Sequence, residues 1–161
     1  MVYIVFGVAG AGKTEVSKFL SKKINCPYYD GDDYHPKSNK EKMKNGIALD
    51  DEDRKEWLDK LSKLVIKSNK EYDKTILACS ALKEKYRDIL SSNKTQEVLF
   101  IHLNLKKEIV ARRLKNRENH FFNAELLDSQ YETLEKLDEG IIIDADQSLQ
   151  SVCNDIINKM Q

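Results

Sequence analysis

Gly7-Val8-Ala9-Gly10-Ala11-Gly12-Lys13-Thr14 is the stretch on which the fold of this chain turns. It fits the phosphate-binding pattern G-x-x-x-x-G-K-[ST], and its surroundings carry more weight than the pattern. Val2, Ile4, Val5 and Phe6 precede it as a short strand, apolar on both faces. Val16, Phe19, Leu20 and Ile24 follow it at helical spacing. A strand that ends in a tight glycine turn and opens a helix aims free backbone N–H groups at an anion. Gly7, Ala9, Gly10, Ala11 and Gly12 then form a cradle for a nucleoside triphosphate. Lys13 reaches the β- and γ-phosphates, and the Thr14 hydroxyl ligates Mg²⁺. The bland reading, a glycine-rich turn with a chance match, leaves both the strand and the helix unexplained.

The rest of the chain continues the alternation. Pro27 to Asp30, Thr75 to Cys79, Val98 to Leu103 and Ile141 to Asp144 read as further strands. Asp51 to Tyr72 reads as a long helix with Trp57, Leu61, Leu64 and Val65 on one face. A helix starts near Ser80, two more cover Lys106 to Lys115 and Ala124 to Lys136, and a last one carries Leu149, Val152, Cys153, Ile156, Ile157 and Met160. The expected fold class is α/β, a five-stranded parallel sheet with helices on both faces. With 161 residues this is one domain, 1–161. Its ligand sits at the carboxyl ends of the strands. Gly31 to Asp51 and Lys115 to Asn123 are polar and read as binding loops beside the phosphate loop.

Composition narrows the function. The 27 basic and 27 acidic side chains cancel, which argues against a nucleic-acid or membrane partner. The apolar start is too short for a signal peptide, and no run approaches a membrane span. Cys26, Cys79 and Cys153 are odd in number and widely spaced; Cys79 and Cys153 sit in apolar patterns and read as buried thiols, which suits a reducing cytoplasm.

Three groups of residues could turn nucleotide binding into phosphoryl transfer. Asp30 and Asp32 follow the second strand, and on an extended segment they point to one side. Asp30 would then face the metal shell and Asp32 the acceptor; the ordinary alternative is a polar turn. Arg54 and Arg87, with Lys83, offer cations to an acidic acceptor, against the alternative of solvated helix faces. Arg113 and Arg117 lie four apart, and like charges at that spacing ask for an anion. With His120, Phe121 and Phe122 they read as a lid whose arginine stabilises the transferring group, the alternative being a basic surface turn. His35, in Tyr34-His35-Pro36, is a further candidate to which spacing alone assigns no role.

These residues together resemble the small gluconokinases of the P-loop kinase superfamily, relatives of shikimate kinase. The resemblance rests on Gly7 to Thr14, Asp30-Gly31-Asp32 with His35-Pro36, and Cys79-Ser80-Ala81-Leu82-Lys83 with Tyr86-Arg87-Asp88. His120-Phe121-Phe122 and Gln130 to Glu135 complete it. It implies ATP-dependent phosphorylation of D-gluconate to 6-phospho-D-gluconate, with Mg²⁺, a P-loop kinase fold, a mobile lid over about 115–136 and a substrate region over about 31–55. It further implies Asp32 at the acceptor hydroxyl and Arg54 at the acceptor carboxylate. His35, Lys83, Arg87 and His120 are expected substrate contacts, Lys13 and Arg117 catalytic groups, and Arg113 and Arg117 nucleotide contacts. Members are often homodimers. The chain departs from the pattern at Ala48, Glu56, Asn119, Ser91-Ser92 and Ser148, none of them a proposed catalytic group. The competing readings are a kinase for another small hydroxy acid such as shikimate, and a nucleotide-binding module that phosphorylates nothing.

Overall fold

The computed structural model describes residues 1–92, 97–117 and 123–161. The strands are β1 (Val2–Phe6), β2 (Tyr28–Asp30), β3 (Thr75–Ala78), β4 (Val98–Asn104) and β5 (Ile141–Asp144). They form one sheet in the order β2-β3-β1-β4-β5, with every neighbouring pair parallel. The helices are α1 (Lys13–Lys23), α2 (Lys37–Lys44), α3 (Asp51–Glu71), α4 (Glu84–Ser91), α5 (Lys107–Lys115), α6 (Ala124–Thr133) and α7 (Leu149–Lys159). The α/β class and the five-stranded parallel sheet are as expected from the sequence.

The unbroken apolar run of β1 follows from its central place. Tyr3 and Val5 pack with Leu20, Ile101, Val152 and Ile156 on one face of the sheet. Val2, Ile4 and Phe6 pack with Trp57, Leu61 and Leu90 on the other. Both faces are therefore dry, and alternation with polar residues would bury them without partners. The chain runs from β1 to β2 and β3 on one side, then crosses to β4 on the other. That reversal opens a crevice at the carboxyl end of β1, where the phosphate loop lies.

Three element boundaries differ from the sequence reading. The polar stretch after β2 is no plain loop but a 3₁₀ turn over Gly31–Tyr34 followed by α2. Helix α2 has no apolar stripe; it is held by Asn39, whose amide donates to the Asp53 carbonyl at 2.7 Å, and by Lys42 on the Asp53 carboxylate at 2.9 Å. The helix expected near Ser80 begins at Glu84, because Ala81 takes a positive φ of 38° and Lys83 stays extended. Helix α6 stops at Thr133, since Leu134 turns extended and the Glu135 amide bonds the Leu82 carbonyl at 2.8 Å. Among the described residues no helix is long and apolar enough to cross a membrane. All three cysteines are free thiols, with Cys79 and Cys153 buried.

Candidate active site

The phosphate loop joins β1 to α1. Gly12 caps α1 in the left-handed region at φ 93°, and no side chain bonds the first amides of the helix. Those amides are left for an anion. Gly10, at φ 79°, lies against α5, and a Cβ there would come within 3.0 Å of Leu114. The Lys13 ammonium donates to the carbonyls of Gly7 at 3.0 Å and Val8 at 2.9 Å. Burial lowers its pKa, while the charges of Asp32 and Asp30 hold it up and that of Arg117 lowers it further. Asp32, Asp30 and Arg117 thus all act electrostatically on the loop lysine.

The two aspartates meet by a route the sequence did not show. They do not lie on an extended segment: the chain turns at Gly31, and Asp30 caps that turn by accepting from the Asp32 amide at 3.0 Å. Its other carboxylate oxygen accepts from the Tyr28 hydroxyl at 3.3 Å, which also bonds Thr14. Burial and the Asp30 charge push the Tyr28 phenol up to about 12, so it stays a donor. Gly31 is pinned from below, because a Cβ would fall 2.7 Å from the Cys79 side chain. From α3, the Trp57 indole donates to the Gly31 carbonyl at 2.7 Å. Asp32 reaches solvent, yet the cleft walls strip enough water to raise its carboxyl; Lys13 opposes the rise and Asp30 and Asp33 add to it. Burial also pushes the Cys79 thiol up to about 12, which makes it an inert wall.

Thr14 and Asp30 both bond the Tyr28 hydroxyl, and among the described residues no group of three or more His, Cys, Asp or Glu side chains is placed to hold a metal ion by itself. One hydroxyl and one carboxylate fit Mg²⁺, which keeps waters and binds largely through substrate phosphates.

Beyond the aspartates lie the acceptor candidates. His35 is buried and stacked on Trp57, ring centroids 4.3 Å apart, and its Nδ1 accepts from the Asn39 amide at 3.2 Å. The ring is neutral with its proton on Nε2, because burial and then the Arg54 charge lower its pKa to about 4. Arg54 donates to the Tyr86 hydroxyl at 3.1 Å, and Lys83 donates to Asp51 at 3.0 Å beside the same ring. Arg54 and Lys83 therefore converge. Arg87 does not join them. It is 4% exposed and lies over the Phe6 ring, and its two terminal nitrogens donate to the carbonyls of Ala81, Leu82, Glu135 and Lys136. With those donors engaged, the structure makes Arg87 a clamp between the start of α4 and the end of α6, in place of the expected substrate contact.

On the other side of the loop, a cleft of about 380 Å³ is lined by Gly10, Gly12, Arg113, Arg117, Ala145 and Gln147. Arg113 donates to the Ala145 carbonyl at 3.0 Å. Arg117 lies past the end of α5, not on the shared helix face expected, but it lines the same cleft. His120, Phe121 and Phe122 lie outside the described residues. The sequence reading assigned no role to Gln130 on α6, whose side-chain oxygen accepts from the Ala9 amide at 2.6 Å. It also gave none to Tyr86, and no local pattern marks either contact, since the partners are 121 and 32 residues away.

The neutral buried histidines have a measurable consequence. His102 on β4 stacks on Phe6, centroids 4.8 Å apart, and burial followed by the Arg87 charge lowers it to about 4, as for His35. Above about pH 6.5 folded and unfolded chains both hold these rings neutral. Below it the unfolded chain takes protons that the folded chain refuses. Stability therefore falls from about pH 6.5 to about 4 and levels off below, by on the order of 3 kcal/mol for each ring. Urea unfolding across that range checks this, and His102→Gln should flatten the decline; an unchanged slope in the variant counts against it.

Comparison with known proteins shows the family of the chain. The family model for shikimate kinase matches residues 9–161. A probable gluconokinase from Dictyostelium discoideum is 38% identical over 100% of this chain and 86% of its own length. The thermoresistant gluconokinase of Escherichia coli (strain K12) is 36% identical over 94% of this chain and 88% of its own. The crystal structure of a gluconokinase from Sinorhizobium meliloti 1021 superimposes with a TM-score of 0.88 at 31% identity, covering 98% of this chain and 89% of that one.

Proposed function

This chain belongs to the gluconokinases, within the wider family that the shikimate kinase model describes, and we propose the following division of labour for its site. The reaction is ATP-dependent phosphorylation of D-gluconate, giving 6-phospho-D-gluconate. One observation carries the reading of the site: the phosphate-loop lysine and Asp32 lie within electrostatic reach of each other, while Arg54, whose charge reaches His35, converges with Lys83 at Tyr86.

Lys13 and the amides of Gly10 to Lys13 hold the β- and γ-phosphates. Thr14 and Asp30 hold Mg²⁺, which when bound neutralises charge on those phosphates. Asp32 accepts the hydrogen bond of the 6-hydroxyl and orients it for in-line attack. Its raised pKa makes it a better proton acceptor than an ordinary aspartate, although a loose transition state asks little of a base. Arg54 and Lys83 take the carboxylate at the other end of the substrate. The neutral His35 offers its Nε2–H to a substrate hydroxyl. Arg113 lines the nucleotide cleft, and Arg117 stabilises the transferring group. The reading includes a single kinase domain with a lid, a cytoplasmic location, where ATP is supplied, and a homodimer without nucleic-acid or membrane partners.

A coupled assay of ADP release tests this. Gluconate should drive ADP release, and Asp32→Asn should lower turnover about 10²-fold, the scale of losing one preorganised group at a transferring centre. Preference for shikimate, another aldonate or a nucleoside overturns the substrate assignment. ATP binding without any acceptor-dependent ADP release overturns the enzymatic reading. Near-normal turnover in Asp32→Asn removes Asp32 from its role.

A further inference from the structure

Arg54 has no carboxylate partner among the described residues. Its one side-chain hydrogen bond there goes to the Tyr86 hydroxyl at 3.1 Å, with its guanidinium carbon 5.4 Å from the Tyr86 ring centroid. The Tyr86 hydroxyl donates onward to Asp51 at the start of α3. Asp51 also accepts from Lys83 at 3.0 Å and from Lys85. Both lysines lie over the same ring, 5.7 and 5.9 Å from its centroid. Three cations thus surround one buried phenol, and one carboxylate anchors it.

The arrangement has a direction. The ring face attracts a guanidinium but leaves its rotation open. The hydroxyl narrows that freedom: it accepts from Arg54, and its own proton, donated to Asp51, is held away from the guanidinium. Asp51 offsets one of the two lysine charges, and the donors of Arg54 other than the one on Tyr86 remain for a ligand anion.

We propose that Tyr86 is a positioning residue: its hydroxyl, anchored on Asp51, fixes the Arg54 guanidinium for the acceptor's carboxylate and so sets the preference for an aldonic acid over a neutral polyol of the same length. The proposal rests on the gluconokinase reading above. Burial and the bond to Asp51 raise the pKa of Tyr86, which keeps it a donor at working pH.

Tyr86→Phe keeps the ring and removes only the hydroxyl. The KM for gluconate should rise about tenfold, the scale of one hydrogen bond to a charged group. The kcat should change less than about threefold and the KM for ATP should not move. The preference for gluconate over D-glucitol, measured as kcat/KM, should shrink by the same factor of about ten. In an Arg54→Ala background the same change should have no further effect on the gluconate KM, because Tyr86 acts through Arg54. Asp51→Asn, which weakens the anchor and keeps the phenol, should shift the gluconate KM in the same direction and serves as the second variant if Tyr86→Phe does not fold. Absence of gluconate-dependent ADP release in the unmodified protein overturns the proposed function itself. Gluconate turnover in the unmodified protein with an unchanged gluconate KM in both variants overturns the role of Tyr86 alone. An equal loss of kcat and of both affinities, with a lowered melting temperature, shows a packing role and also overturns it.

Discussion

Lys13→Ala is expected to lower gluconate-dependent turnover by about 10²–10³-fold, while the melting temperature should stay within about 3 °C of the unmodified protein. The two halves of this result have different causes. Lys13 is the cation at the head of α1, and the cleft removes part of its water, so its field at a phosphate is weakly screened. Phosphoryl transfer leaves little covalent work for the protein, and most of the acceleration comes from such fixed charge. In the free protein, by contrast, the ammonium only bonds the carbonyls of Gly7 and Val8 at the rim of the cleft. Water can replace it there. Steady-state kinetics with a thermal melt check both halves, and near-normal turnover would take Lys13 out of the transfer.

Arg87→Ala is expected to cost about 3–5 kcal/mol of stability and about 10 °C in melting temperature. The guanidinium lies over the Phe6 ring and serves four carbonyls, two before α4 and two after α6. Removing it leaves buried acceptors without partners at about 1–3 kcal/mol each, partly recovered where water enters. The same change opens the junction at which Glu135 bonds Leu82 and Glu84, so the end of α6 loosens as well. Urea unfolding gives the stability loss. Kinetics distinguish this role from the substrate contact suggested by sequence. A substrate ligand would show a raised gluconate KM in a protein of unchanged stability, and that outcome would restore the earlier assignment.

Why Arg87 was misread from sequence is instructive. It follows Lys83 by four positions, and a basic pair at that spacing looks like one face of an exposed helix. The positive φ of Ala81 delays α4 to Glu84, so Lys83 is its N-cap and Arg87 alone is inside the helix, turned to the core. Helix α2 was missed for a related reason. Its residues Lys37 to Lys44 carry no apolar period, and its anchors Asn39 and Lys42 reach Asp53, on another element. Asp30 and Asp32 were paired through strand geometry, which the Gly31 turn replaces. The sequence offered Arg54 as a candidate cation for an acid but gave no sign of its bond to Tyr86.

What the amino-acid sequence determined by itself is what short-range periodicity encodes. A glycine-spaced loop between an apolar strand and an amphipathic helix is a phosphate site, and apolar runs alternating with helices make a covered parallel sheet. Those patterns repeat every two or every 3.6 residues, so a short window of chain contains them. Only the tertiary structure decided which partners each charged side chain meets. Arg54 meets Tyr86 across 32 positions, Tyr86 meets Asp51 across 35, and Arg87 meets Glu135 and Lys136 across 48 and 49. An arginine's role is set by what lies opposite its guanidinium, and for Arg54, Arg87 and Arg113 that includes groups brought there by another part of the fold.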